Sequence, residues 1–302
     1  MDKKRQSIID EIKQNKILLE ETKEDDFKVL IEEEINSLID KLISVDPLDQ
    51  KNIILEIRPA AGGQESELFA RDLWRMYERY AEKMAWKVRV HDVSKTGLGG
   101  IKYISAEIRG EDIYKNFKYE SGVHRVQRVP DTEKGGRIHT STATVAILPE
   151  ADKVDFEINP KDLEIGKFHA GGHGGQNVNK VETAIRITYL PTGLVVTCQD
   201  ERSQLKNKLK AMSILRSKLL EEERRNEEEK IGSERRSQVG TGDRSEKIRT
   251  YNFPQDRITD HRIKKSWNQL ENIMDGNMDK IISTLQEEDY NRKKELILEE
   301  IK

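Results

Sequence analysis

One block of twelve residues constrains this chain more than any other stretch: His169-Ala-Gly-Gly-His-Gly-Gly-Gln-Asn-Val-Asn-Lys180. It holds four glycines and no apolar periodicity, so neither a helix nor a strand runs through it. It must be a loop. Glycine reaches backbone angles closed to other residues and lets the main chain approach a ligand closely. A bare N–H presented in this way stabilises an oxyanion, as in acyl-transfer sites. Gln176 adds a neutral amide that orients a water without titrating. No Ser-His-Asp or Cys-His constellation lies nearby, and the only cysteine, Cys198, falls in a strand-like run. Such a loop assists hydrolysis of an ester that another body has activated; it makes a poor stand-alone hydrolase. Gly174-Gly175-Gln176 alone is weak evidence. With glycine near ~7% of residues, the tripeptide arises by chance in about one such chain in ten to twenty, and Gly62-Gly63-Gln64 is a second copy.

The flanks carry more. Ile185, Ile187 and Tyr189 alternate with Arg186 and Thr188, which predicts a half-buried strand. Leu190-Pro-Thr-Gly193 is a turn and Leu194–Cys198 the returning strand. A helix follows, with Leu205, Leu209, Met212, Leu215 and Leu219 spaced to pack one face. Arg202, Lys206, Lys208 and Lys210 can meet RNA phosphates, the alternative being a plain solvated face.

Charge is segregated in the same sense. The chain has 302 residues, 36% of them charged, and a net charge of only −3. Residues 1–50 carry 14 acidic against 8 basic side chains, whereas 161–265 carry 22 basic against 16 acidic. The glycine-loop half is therefore the RNA-facing half. A single cysteine argues against a disulfide framework. There is no secretory apolar region and no apolar run near 18 residues, so a cytoplasmic protein is expected, with no membrane partner.

The expected architecture is α+β and multidomain. Residues 1–50 read as a helical hairpin, with Ile8, Ile9 and Ile12 on one helix. Phe27, Leu30, Ile31, Ile35, Leu38, Ile39, Leu42 and Ile43 lie on the other, and the corner is at 23–26. Residues 51–160 mix a helix over about 65–83 with strands near 53–57, 87–92, 102–108, 124–129, 143–148 and 154–158. Residues 161–232 form the glycine-loop unit, a small α/β domain. The small and basic residues of 233–245 predict a hinge-like linker, and 246–302 close the chain with Trp267, Leu270, Ile273, Met278, Ile281, Ile282 and Leu285 as apolar faces.

Further motifs settle the comparison. His169–Arg186 with Thr192–Lys208, then Gly240-Thr-Gly-Asp-Arg-Ser245, Arg249-Thr-Tyr-Asn-Phe-Pro-Gln255 and Arg257-Ile-Thr-Asp-His-Arg262, resemble the class I peptide chain release factors over roughly 52–276. Pro130-Asp131-Thr132 fits the Pro-x-Thr tripeptide of members that read UAA and UAG, and not the Ser-Pro-Phe of the UGA readers. By its residues alone, this second centre is a strand–turn–strand with a Pro corner. The same Pro, Thr and His also suit single-stranded RNA, whose bases are stacked on rings and read on their edges.

The resemblance implies a role for each matching position. Gly174, Gly175 and Gln176 are the catalytic loop, with Gln176 the glutamine that members often carry N5-methylated. Gly62 and Glu65 contact the first uridine, which makes Gly62-Gly63-Gln64 a helix N-terminus beside the codon. Thr132 reads the first and second bases, and His139 wedges between the second and third with Ile138 and Thr140 beside it. Gln127 and Thr144 bond the third base. The last segment packs on the codon-reading domain, and 233–245 becomes the switch that swings the catalytic domain outward. Implied partners are both ribosomal subunits with their RNA, the mRNA stop codon and the P-site peptidyl-tRNA, together with a glutamine methyltransferase and a class II release-factor GTPase. No cofactor or metal is implied, and a monomer is expected.

Three departures stand out. Asp131 puts an acid near phosphate, Gly171 and His173 replace the usual residues before Gly174, and the N-terminal helical segment is shorter than in typical members, which bears on contacts with the stalk base or the GTPase. His169 and His173 have the spacing of a metal pair, but no further ligands gather around them. Two rivals remain: a codon-independent rescue hydrolase, and a non-catalytic RNA-binding protein occupying the A site. Retention of Pro130–Thr132 and a C-terminus that is not basic argue against the first, and intact Gly174–Gln176 against the second.

Overall fold

Parallel pairing between two strands more than a hundred residues apart organises most of this molecule. The structure, a computed structural model, describes residues 3–22, 24–43, 46–130, 135–150, 158–169 and 182–301. Contacts divide the chain into two units, 1–150 with 235–302, and 151–234.

In the first unit, α1 (Lys3–Glu21) and α2 (Asp25–Leu42) form the expected hairpin. Ile9, Ile12, Ile31, Ile35, Leu38, Ile39 and Leu42 are buried there, joined by Ile297 and Ile301 from the far end of the chain. Phe27 and Leu30, expected in this stripe, are exposed, because the packed face begins one turn later at Ile31. Then follow β1 (Ile53–Pro59), α3 (Gln64–Lys83), β2 (Lys87–Lys95), β3 (Ile101–Arg109), a short α4 (Ile113–Phe117), β4 (Gly122–Arg128) and β5 (His139–Pro149). The second unit holds β6 (Leu163–Phe168), β7 (Ala184–Tyr189), β8 (Leu194–Cys198) and most of α5 (Gln204–Val239), whose residues from Arg235 on belong to the first unit. The chain ends with β9 (Lys247–Asn252), β10 (Arg257–Asp260), β11 (Lys265–Asn268), α6 (Leu270–Met274) and α7 (Asp279–Glu300), all in the first unit.

The large sheet has eight strands in the order β11-β10-β9-β4-β5-β1-β3-β2. Only β4–β9 is parallel, and it joins the two distant parts of the chain. One face of the sheet is apolar: Ile53, Leu55, Ile57, Val126, Val145, Tyr251 and Ile258 pack with Phe69, Leu73, Met76 and Tyr77 of α3 and with Leu270, Met278, Ile281 and Leu285. The C-terminal segment thus completes the central domain, as the resemblance implied.

Polar groups are buried where β9 meets β4. The Arg249 guanidinium, fully buried, donates to both Glu120 carboxylate oxygens at 2.6 and 2.8 Å and to Asp260 Oδ2 at 3.2 Å. Burial alone would raise the Glu120 carboxyl, but Arg249 outweighs it and holds the pKa below the ordinary value. His124 is also fully buried. Its Nε2 lies 2.8 Å from the Glu120 carbonyl, which can only accept, so Nε2 carries the proton, and Nδ1 accepts from the Tyr251 hydroxyl at 3.1 Å. Burial pushes the His124 pKa down to about 4. The unfolded imidazole titrates near ~6.5 and takes up a proton that the folded one refuses, so this group costs stability as pH falls from ~6.5 toward 4. The full loss is about 3 kcal/mol. Urea midpoints between pH 4.5 and 7.5 should fall more steeply for the native protein than for His124→Gln. Parallel curves would refute the assignment.

In the second unit β6, β7 and β8 form an antiparallel sheet in that order. β7 and β8 match the predicted hairpin; β6 was not anticipated. Ala211, Leu215 and Leu219 of α5 pack on Ile185, Ile187, Val196 and Cys198. Leu205 and Leu209, expected on that face, are 67% and 63% exposed. The buried stripe steps by four through 207, 211, 215 and 219, with Asn207 in place of a leucine. The predicted strand over 154–158 lies, save Ile158, outside the described residues.

The expected linker needs correction. α5 stays helical through Val239, so 233–239 are not open chain. Glu234, Arg235, Arg236 and Gln238 are adequate helix formers, and Gly232 costs only about 1 kcal/mol. Gln238 also anchors the end: its amide accepts from the Ile147 N–H at 3.0 Å and donates to the Ile147 carbonyl at 2.9 Å, while Arg235 donates to Glu56 at 2.6 Å. Gly240 and Gly242 then turn the chain with φ of +57° and +75°.

Candidate nucleic-acid interface and catalytic loop

Gly174, Gly175 and Gln176 lie outside the described residues, but the feet of their loop are well defined. β6 and β7 pair Lys167 with Ile185 and Phe168 with Ala184, so the block is the connection of an antiparallel hairpin and its two ends meet. His169 Nε2 stands 3.9 Å from Glu182 Oε1 across those ends. Gln204 donates to the Glu182 carbonyl at 2.8 Å. The Asn207 amide, fully buried, donates to the Thr183 and Glu201 carbonyls at 2.8 Å each and accepts from the Glu201 N–H at 2.9 Å. One side chain thus ties the returning foot of the loop to the start of α5. Arg202, Lys206 and Lys208 are exposed on this first stretch. Lys210 is exposed too, but its ammonium sits 2.6 Å from Asp200, whose hydrogen bond raises its pKa, so its charge is shared with a carboxylate. Among the described residues no group of three His, Cys, Asp or Glu side chains could hold a metal ion.

The second centre lies on the sheet. Val126 and Tyr251 point into the core, so Gln127 and Asn252, the next residues on their strands, face the other way. The pairing register sets Thr140 opposite Gln127 on one side and Asn252 opposite it on the other. Thr144 shares this face but is four residues along β5 from Thr140, about 13 Å at strand rise. It is buried, its hydroxyl 3.3 Å from the Arg58 carbonyl. The expectation that Gln127 and Thr144 meet one base is therefore corrected: the neighbour of Gln127 is Thr140. Ile138 and His139 stand exposed where β5 begins. Pro130 is buried, while Asp131 and Thr132 lie outside the described residues.

The start of α3 closes onto β5. Ala61 and Thr142 exchange main-chain and hydroxyl hydrogen bonds at 2.7 to 2.9 Å. Gly62 has φ +130°, and a Cβ there would fall 2.2 Å from the Ser141 hydroxyl oxygen, so only glycine fits. Gly63, at φ +59°, leads into the helix, making Gly62-Gly63-Gln64 the helix N-terminus expected. Glu65 is buried. Its Oε1 accepts from Arg128 Nε at 2.6 Å, and its Oε2 has no hydrogen-bond partner among the described residues. Arg128 also donates to Asp72 at 2.8 Å and lies over the Phe253 ring.

Residues 2–145 match the PCRF domain family and residues 152–262 the RF-1 domain family. The chain belongs to the peptide chain release factor family. Membership makes it a factor of translation termination, and it accounts for one chain carrying both a polar sheet face and a glycine loop. Peptide chain release factor 1 of Carboxydothermus hydrogenoformans is 54% identical over 92% of this chain and 80% of its own length. That of Aquifex aeolicus is 54% identical over 91% and 79%. Among solved structures, RF2 of Thermus thermophilus aligns with 34% identity and a TM-score of 0.52, over 96% of this chain and 84% of that one.

Three polar residues of this release factor escaped the sequence reading. Asn207 occupies a position of the apolar stripe, which marks it as a buried clamp once the register is known. Arg128 follows Gln127 on β4 and meets two acids seven apart on α3, a same-face spacing visible in the sequence. Asn252 has no local signal, because its partner is 125 residues away.

Proposed function

We propose that this protein ends translation by reading UAA and UAG in the ribosomal A site and promoting hydrolysis of the peptidyl-tRNA ester. The observation that carries the reading is that one chain matches both the PCRF and RF-1 domain families and is 54% identical to a peptide chain release factor 1 over 92% of this chain. Residues 51–160 with 246–302 read the codon, and 161–232 deliver the glycine loop. Gly62 and Glu65 meet the first uridine, Thr132 the first two bases, and His139 stacks between the second and third. The third base goes to Gln127 and Thr140, which share one register position.

At the ester, the Gln176 N–H stabilises the developing oxyanion and its side-chain amide orients water. No Ser-His-Asp or Cys-His constellation accompanies the loop in the sequence, so we read it as acting within the ribosome and not as a stand-alone enzyme. The tRNA ribose and ribosomal RNA supply the remaining chemistry. Arg202, Lys206 and Lys208 meet RNA phosphates. A glutamine methyltransferase acting on Gln176, a class II GTPase and a cytoplasmic setting complete the proposal.

Ribosomes carrying labelled peptidyl-tRNA and UAA, UAG, UGA, a sense codon or an empty A site test it. Release on UAA and UAG alone is expected. Release on every codon, or on an empty site, would make this a rescue factor.

A further inference from the structure

We propose that Asn252 fixes the side-chain amide of Gln127 so that its NH2 group, and not its oxygen, faces the third base of the codon. The inference rests on the codon-reading role of Gln127 given above. Asn252 is a positioning residue: it acts through Gln127.

Groups that can only donate fix the polarity of this cluster. The Gln255 main-chain N–H lies 3.1 Å from Asn252 Oδ1, capping the turn at Phe253–Gln255, where Pro254 stiffens the chain. A backbone N–H has no acceptor, so the atom it meets must be the Asn252 oxygen. The Asn252 nitrogen then points the other way, to Gln127 Oε1 at 3.4 Å and Gln255 Oε1 at 3.1 Å. Gln255 Oε1 is itself fixed by the Arg257 guanidinium, another obligate donor, at 2.7 Å. Since Asn252 presents NH2, Gln127 must answer with its oxygen, and its own NH2 is left facing outward. The polarity is set by two obligate donors, one on the turn and one at the start of β10, and handed across the β4–β9 pair.

A fixed donor at that place has a specificity consequence. Adenine and guanine share the N7 acceptor on the Hoogsteen edge, whereas pyrimidines lack it. Beside N7, adenine carries an N6 amino donor and guanine an O6 acceptor. The Thr140 hydroxyl, opposite Gln127, rotates and can accept from one or donate to the other. Purine is demanded by the locked amide, and indifference between the two purines comes from the rotor.

Asn252→Asp inverts the lock: one carboxylate oxygen still caps the Gln255 N–H, while the bond to Gln255 Oε1 is lost and that side chain swings away. The other carboxylate oxygen now meets Gln127 as an acceptor and turns its NH2 inward, leaving an oxygen toward the base. Adenine, with an amino group on that edge, tolerates the oxygen; guanine, with two acceptors, does not. Release kinetics on UAA and UAG programmed ribosomes are the readout, with Gln127→Ala and Asn252→Ala alongside. Expected is a loss of kcat/KM on UAG at least about tenfold greater than on UAA for Asn252→Asp. For Asn252→Ala the two stop codons stay level, and discrimination against UAU and UAC relaxes. An equal fall on both stop codons for Asn252→Asp overturns the inference, since mere damage to the turn would lower both alike. If Gln127→Ala leaves purine-over-pyrimidine discrimination intact, it is the assignment of Gln127 that fails instead.

Discussion

Gly175→Ala should slow peptide release by about 10²–10³-fold at saturating factor, with the concentration needed for half-maximal release unchanged. That is the loss expected when one oxyanion donor moves out of place in a water-poor site. The substituted residue carries no side chain of its own to lose. What the new Cβ changes is the path of the main chain, and with it the position of the next N–H, that of Gln176. Gln176→Ala makes the complementary case. It keeps the N–H and removes only the amide that orients water, so much of the hydrolysis survives while bulkier nucleophiles gain entry. Release assayed in water and with hydroxylamine or ethanol present separates the two variants. If Gly175→Ala released peptide at the native rate, the main-chain mechanism would be wrong.

The ends of that loop show what a sequence can and cannot disclose. Period-two alternation at Ile185–Tyr189 and Leu194–Cys198 marks strands because the signal is written within a few residues, and β7 and β8 stand where it puts them. The helix predicted over 65–83 is legible for the same reason, and the structure has it at Gln64–Lys83. Leu205 and Leu209 show the limit. A helix of mixed apolar spacing offers two neighbouring faces, and the choice between them is made by Asn207, whose amide finds three main-chain partners only if it is turned inward. The segment 233–239 reads as linker from its composition, yet it docks as helix because Gln238 finds the free main-chain edge of Ile147. Strand order is the least legible feature. β9 lies beside β4, where Arg249 meets Glu120, a pairing across 129 residues that no local window contains. The proposed codon face inherits that gap: Gln127 is legible in the sequence as a candidate, but Asn252, its neighbour across β4–β9, is not.

Arg249→Met should destabilise the protein by about 3–5 kcal/mol, the range for breaking a buried ion pair by removing one partner. Against a total stability of about 5–15 kcal/mol, that leaves the central domain near its threshold. The deleted guanidinium spans Glu120 and Asp260, all three buried, while Tyr77 donates at 3.0 Å to Glu120 Oε2, the oxygen that also accepts from Arg249 Nη1. Asp260 keeps Arg262 as a partner at 2.7 Å, so the orphaned charge is chiefly Glu120. With the cation gone, burial is left to act on that carboxyl and raises its pKa above the unfolded value, reversing the native direction. The sign of the pH dependence then reverses as well. In the native protein Glu120, with its depressed pKa, loses stability as pH falls through the folded value. In Arg249→Met it binds its proton more readily when folded, so its contribution improves as pH falls from 7 toward 5. Glu120→Gln in the same background removes the buried charge and should recover part of the loss at pH 7 while abolishing the inverted slope. Urea unfolding of the native protein, both single variants and the double variant at pH 5 and 7 measures all of this. A coupling energy near zero in that cycle would show the Arg249–Glu120 pair to be incidental. A large one would identify the bond that holds β9, and Asn252 with it, beside β4.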